Sequence, residues 1–92
     1  MRAMPRIAFT RHLEAVGPTE PVACVGATVG ELIEAVAADY PRLKNYVLDD
    51  QGRIRKHIAV FIDGAMVPRH TALSQAVSEG TEVYVFQALS GG

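Results

Sequence analysis

One amphipathic helix is the feature that most limits the folds open to this 92-residue chain. In the segment TVGELIEAVAADYP, Thr28 is suited to cap the helix, and Glu31 stands three residues later, as in a capping box. Pro41 cannot continue the helix. The apolar residues recur at helical spacing and form a single stripe, which consists of Val29, Leu32, Ile33, Val36, Ala37 and Tyr40. A single stripe predicts that the helix packs on one face of a sheet only.

Short strands are predicted on both sides of this helix, because apolar and polar residues alternate there between turn signals. Asp63-Gly64 is a hairpin signal. Residues 43–48 are expected to form a short turn over one end of the core, and residues 71–80 a brief helical turn. The predicted strands are Arg6–Thr10, Val22–Val25, His57–Asp63, the short segment Ala65–His70 and Thr81–Leu89. This order predicts an α+β roll, in which a mixed sheet of four to five strands wraps around one main helix.

The composition argues against several function classes. Nine basic residues face ten acidic ones, so no overall field draws the chain to nucleic acid or to an anionic membrane. No apolar stretch approaches the roughly 20 residues that cross a bilayer. The single cysteine, Cys24, is expected to be a buried hydrophobe in a protein of the reducing cytoplasm. We expect one domain over residues 1–92, with a flexible C-terminal tail from about residue 88.

The sequence contains no recognisable set of catalytic residues. His12, His57 and His70 are scattered without metal-ligand spacing, so neither a metal nor a bound cofactor is expected. Asp49 and Asp50 are expected to be solvated in a turn. The basic run at residues 53–57 is interpreted as solvated surface, with docking of an acidic partner as the alternative. The chain is therefore not expected to be an enzyme.

The last predicted strand indicates a contact surface. Val83 and Val85 point to one side and suit the helix stripe, which leaves Tyr84 and Phe86 on the uncovered side. Phe61 is expected to join them from a neighbouring strand. An exposed aromatic cluster on a small sheet is typical of a contact surface. The alternative is that the faces are reversed and that Phe86 belongs to the core.

Gly91 and Gly92 follow this strand, after Leu89 and Ser90. Glycine has no Cβ, so a tail of this kind can lie extended in a narrow channel of another protein. There its carboxylate can be converted with ATP into an acyl-adenylate, from which a sulfur donor or an amine displaces AMP. The partner then catalyses the adenylation and the displacement of AMP, and this chain is a covalent carrier.

The segments ATVGELIEAVAADYP, GRIRKHIAVFIDG and EGTEVYVFQALSGG together resemble the ThiS/MoaD-like sulfur carriers. The resemblance covers nearly the whole chain and implies a ubiquitin-like β-grasp fold. It implies that Gly92 carries first the adenylate and then the thiocarboxylate, with Gly91 as the narrow neck of the tail. The residues expected to contact the activating enzyme are Phe61, Tyr84, Phe86, Leu89 and Ser90.

The partners that the resemblance implies are a ubiquitin-activating-type adenylyltransferase that uses ATP, a sulfur donor and a sulfur-accepting synthase. The donor is a sulfurtransferase, a persulfide or sulfide. The pathway stays open among cysteine, thio-metabolite, molybdopterin, thiazole and tRNA thiolation. Two other functions also stay open: conjugation to proteins through Gly92, as by a ubiquitin-like modifier, and a non-covalent β-grasp interaction module.

Overall fold

A computed structural model describes residues 4–13 and 15–87, and these residues form a mixed sheet with helices against one face. The five strands are β1 (Arg6–Phe9), β2 (Val22–Ala23), β3 (Ile58–Ile62), β4 (Ala65–Val67) and β5 (Glu82–Gln87). The sheet order is β2-β1-β5-β3-β4, in which β1 and β5 run parallel and the other neighbours antiparallel. The predicted α+β roll, with β1 and β2 as a hairpin, is therefore confirmed.

The main helix, α1 (Val29–Ala37), begins where the sequence predicts. The Thr28 hydroxyl accepts a hydrogen bond from the backbone N–H of Glu31 at 3.2 Å. The Glu31 carboxylate in turn accepts from the backbone N–H of Ala27 at 2.8 Å, one residue before the cap. The first bond satisfies an amide group that a helix start leaves unpaired, and the second joins the residue before the cap to the first turn. Five of the six predicted stripe residues are buried: Val29, Leu32, Ile33, Val36 and Ala37.

The sixth stripe residue, Tyr40, was assigned wrongly. It lies beyond the end of α1 and is 38% exposed, because a residue that precedes a proline is disfavoured in the helical conformation. Pro41 instead occupies the first turn of a second helix, α2 (Pro41–Val47), where its fixed φ is favourable. The turn predicted over one end of the core is thus a helix, and its Leu43 and Val47 are buried.

The hairpin between β3 and β4 is the predicted Asp63-Gly64 turn. Both residues have positive φ, 49° and 87°, as a two-residue turn between twisted antiparallel strands requires. The Asp63 carboxylate also accepts from the backbone N–H of Glu82 at 2.9 Å, which joins the hairpin to the start of β5.

The core lies between the sheet and the helices. Ile7, Val60 and Val85 on the inner face of the sheet are buried against Leu32 and Ile33 of α1. Both helices lie on that face, so the opposite face of the sheet carries no helix within residues 4–13 and 15–87. No helix among the described residues is long and apolar enough to cross a membrane.

Candidate functional site

The uncovered face of the sheet carries the predicted aromatic cluster. Side chains alternate along β5, so Val83 and Val85 are buried while Tyr84 and Phe86 are 41% and 38% exposed. The two aromatic rings are neighbours, with centroids 6.3 Å apart and planes tilted by 49°. The predicted assignment of the two faces is confirmed, and the alternative that places Phe86 in the core is wrong.

The pairing of the strands extends this cluster across the sheet. Tyr84 stands opposite Phe61 of β3 and Ala8 of β1, and Phe61 stands opposite Met66 of β4. Met66 is 67% exposed. We call the surface formed by Phe61, Met66, Tyr84 and Phe86 the open face. Met66 was not identified from the sequence, although the predicted two-residue turn at Asp63-Gly64 sets it opposite Phe61.

An open groove of about 600 Å³ runs over part of this surface. Its lining is mainly apolar and includes Ala8, Phe61, Tyr84 and Phe86. An ion pair between Arg6 and Glu82 borders the groove at the end of the sheet where β5 begins. The volume falls within the range of sites that accept a ligand or an anchoring side chain.

At its other end, β5 is held by both of its neighbours up to the last described residue. Gln87 stands opposite Ile58 of β3, and its backbone N–H donates to the buried Thr10 hydroxyl at 3.3 Å. Thr10 itself donates from its backbone N–H to the carbonyl of Val85 at 3.0 Å. The sequence after Gln87 therefore starts from a fixed point at the edge of the open face.

Four of the predicted site residues lie outside the described residues. They are Leu89, Ser90, Gly91 and Gly92. Their proposed roles stay predictions, as does the binding role of Phe61, Tyr84 and Phe86.

Basic residues lie at the end of the sheet where β5 ends. Arg55, Lys56 and His57 come directly before β3, whose first residue pairs with Gln87, and all three are exposed. Arg69 follows β4 and lines one hollow with Lys56 and His57 and another with His70. The sequence had indicated the run at residues 53–57 but not Arg69, which only the β3–β4 hairpin brings beside it.

The remaining candidates have structural explanations. Cys24 is buried, and burial raises the pKa of its thiol, as expected for a small core hydrophobe. The Asp49 carboxylate accepts from the backbone N–H groups of Arg53 and Gln51, at 3.0 and 2.8 Å, and these bonds lower its pKa. No group of three or more potential metal ligands occurs in the part of the chain that the structure describes.

Comparison with known proteins places this site on a known fold. The sequence profile of the ThiS family matches residues 8–92. Small archaeal modifier protein 1 of Haloferax volcanii is 35% identical over 66 residues, which span 72% of this chain and 71% of the relative. Small archaeal modifier protein 3 of the same organism is 30% identical over a segment of the same length.

Solved structures agree with the sequence comparison. The crystal structure of the Haloferax volcanii protein SAMP1 superposes with a TM-score of 0.78 at 26% identity, covering 96% of this chain and 98% of that one. A chain of the Amycolatopsis orientalis BexX/CysO complex superposes with a TM-score of 0.82 at 22% identity, covering 96% and 99%. These neighbours confirm the ubiquitin-like β-grasp fold.

Proposed function

Because the chain belongs to the ThiS family of small ubiquitin-like carriers and modifiers, we propose that it carries sulfur as a thiocarboxylate on Gly92. The observation that carries this proposal is the placement of Tyr84 and Phe86. They lie on a sheet face that carries no helix among the described residues, in β5, the last strand before Gly91-Gly92 in the sequence. A partner that covers the open face is thereby positioned to receive the tail.

The proposed chemistry takes place on the partner. An adenylyltransferase joins the Gly92 carboxylate to the AMP part of ATP and releases pyrophosphate. Hydrosulfide then attacks the acyl carbon and expels AMP, which leaves the thiocarboxylate. A persulfide donor instead gives an acyl disulfide, and a thiol then reduces it to the same product. The role of this chain is to present the carboxylate, so the family's assignment to carriers rather than catalytic enzymes fits the proposal.

Intact-mass measurement tests the proposal. The chain is coexpressed with the ubiquitin-activating-type adenylyltransferase of its own organism and supplied with sulfide. Exchange of one oxygen for sulfur adds about 16 Da to the carrier. A variant that lacks Gly91 and Gly92 is the control and gains no mass. If the complete chain also keeps its mass while the enzyme consumes ATP in its presence, sulfur carriage is wrong.

The names of the relatives favour a second candidate function. Both curated relatives, at 35% and 30% identity, are called modifier proteins. A modifier would use the same adenylate, but a lysine amine of a target protein would attack it and form an isopeptide bond. Mass spectrometry of tryptic peptides distinguishes the two functions, because only conjugation leaves a tail remnant on target lysines. A purely non-covalent interaction module would form neither product, and removal of Gly91 and Gly92 would leave its activity and its affinity for the partner unchanged.

A further inference from the structure

The fold gathers cations at the end of the sheet from which the tail starts. β3 begins at Ile58 opposite Gln87, so Arg55 and Lys56 lie next to the end of β5. Val67 at the end of β4 pairs with Val60, so Arg69 returns to the same end of the sheet. We call Arg55, Lys56 and Arg69 the basic rim. All three side chains are exposed.

Two of these cations are held in place without loss of their charge. The Arg55 guanidinium donates through Nε to the backbone carbonyl of Asn45 at 2.9 Å. The Arg69 guanidinium donates through Nη1 to the carbonyl of Ile54 at 3.1 Å. A carbonyl orients a guanidinium but does not neutralise it, and an oriented guanidinium loses less entropy when it binds a carboxylate.

Asp49 is the acidic residue that lines the same hollows. Its Oδ1 already accepts two backbone N–H groups, and its Oδ2 lies 3.5 Å from Nε of Arg53. Asp49 pairs with Arg53 and also interacts electrostatically with Arg55. This single carboxylate faces four cations in the two hollows, Arg53, Arg55, Lys56 and Arg69, so the basic rim keeps an excess of positive charge. At the opposite end of the groove the charges of Arg6 and Glu82 are already paired with each other.

Lys56 and Arg69 of the basic rim border the open face directly, and Arg55 lines the adjoining hollow with them. One hollow is lined by Lys56 and Arg69 together with Ala59 and Met66. Ala59 pairs with Phe86, and Met66 pairs with Phe61. The result is one surface with an apolar centre and a cationic border at the tail end, which is the layout of a protein interface with a buried centre and a polar rim.

We propose that the basic rim binds an acidic segment of the protein that receives the tail, with carboxylates of that segment facing Arg55, Lys56 and Arg69. The identity of that protein rests on the proposed function, but the binding chemistry does not. Apolar side chains next to the acidic segment occupy the open face. Charge pairs at such a border set the association rate and the orientation of the partner, so the tail arrives already aligned with the partner's channel.

The charge of the whole chain favours a protein over a nucleic acid. The sequence has a net charge of −1, whereas nucleic-acid-binding domains carry a strong basic excess. The basic rim borders an apolar surface, and a phosphate backbone offers nothing to cover that surface. An acidic segment with apolar side chains can pair with the basic rim and also cover the open face.

A peptide titration tests the inference without any tail chemistry. The ¹⁵N-labelled full chain is titrated with the peptide (Glu-Glu-Leu)₄ and, in parallel, with (Lys-Lys-Leu)₄. We expect amide resonances of Lys56, Arg69 and Tyr84 to shift with the acidic peptide only. Binding should weaken several-fold when the salt concentration rises from about 20 to about 200 mM, because exposed charges are screened.

Charge reversal supplies the matched variants. The double variant Arg55→Glu/Arg69→Glu should weaken acidic-peptide binding by about tenfold or more. Lys56→Glu breaks neither of the guanidinium–carbonyl bonds, so it remains a test if the double variant does not fold. Arg42→Glu, an exposed reversal in α2 outside the basic rim, should bind like the original chain.

Four results would overturn the inference. They are absence of shifts with the acidic peptide, equal shifts with the basic peptide, tighter binding of a single-stranded RNA decamer, and the same shifts with inorganic phosphate alone. The outcome is separable from the proposed function, because the peptide involves neither ATP nor Gly92. A carrier that gains sulfur but ignores the peptide refutes only the basic rim, and the reverse result refutes only the sulfur chemistry.

Discussion

Replacement of Phe86 by alanine should separate the stability of the fold from the binding of the partner. Phe86 is 38% exposed, so about three fifths of its side chain is buried in the free chain. Complete burial of a phenylalanine stabilises by roughly 1.5–3 kcal/mol, so we expect a loss of about 1–2 kcal/mol in the free energy of unfolding. A partner that covers the exposed part of the ring should gain about 1 kcal/mol of binding free energy from it. The substitution should therefore weaken the affinity for the partner about fivefold.

Tyr46→Ala is the matched control for this prediction. Tyr46 lies on α2, away from the open face, and is 48% exposed. Both variants should lose a similar amount of stability in urea unfolding. In ATP–pyrophosphate exchange by the adenylyltransferase, Phe86→Ala should raise KM about fivefold or more with little change in kcat, whereas Tyr46→Ala should not. Equal KM values for the two variants, or an unfolded Phe86 variant, would refute the reasoning.

Three further predictions concern the fold. Leu32→Ala should cost about 3–5 kcal/mol in chemical denaturation because Leu32 is completely buried; a loss below about 1 kcal/mol would remove it from the core. Thr28→Ala should cost about 1 kcal/mol, while Thr28→Ser, which keeps the hydroxyl acceptor, should cost much less. The pKa of Asp49 is lower in the folded chain, so its stabilising contribution is present above the unfolded pKa of about 3.9 and is lost as the pH falls through the folded value. Asp49→Asn should flatten that part of a stability–pH profile, and an unchanged profile would contradict the assignment.

Local patterns in the sequence were sufficient for the elements that depend on neighbouring residues. The start of α1 follows from Thr28 and Glu31, which are three residues apart, and the two faces of β5 follow from alternation alone. The start of α2 could also have been predicted from Pro41, because proline is favoured in the first turn of a helix.

Two parts of the site were not predicted from the sequence. Met66 joins the open face because it pairs with Phe61, and Arg69 joins the basic rim because the β3–β4 hairpin folds it back. A shift of one residue in that register would place Met66 on the other face of the sheet. The two-residue Asp63-Gly64 turn sets that register, so Met66 could have been predicted from the sequence, whereas the approach of Arg69 to Ile54 depends on a tertiary contact.

The parallel pairing of β1 with β5 has a mechanical consequence. These adjacent central strands lie nearest to the two ends of the described chain, and they point the same way. A pull that separates residues before β1 from residues after β5 therefore loads their ladder in shear, so its hydrogen bonds must rupture together rather than one at a time. An unfoldase that drags the protein by one end while the other end is held should meet high resistance.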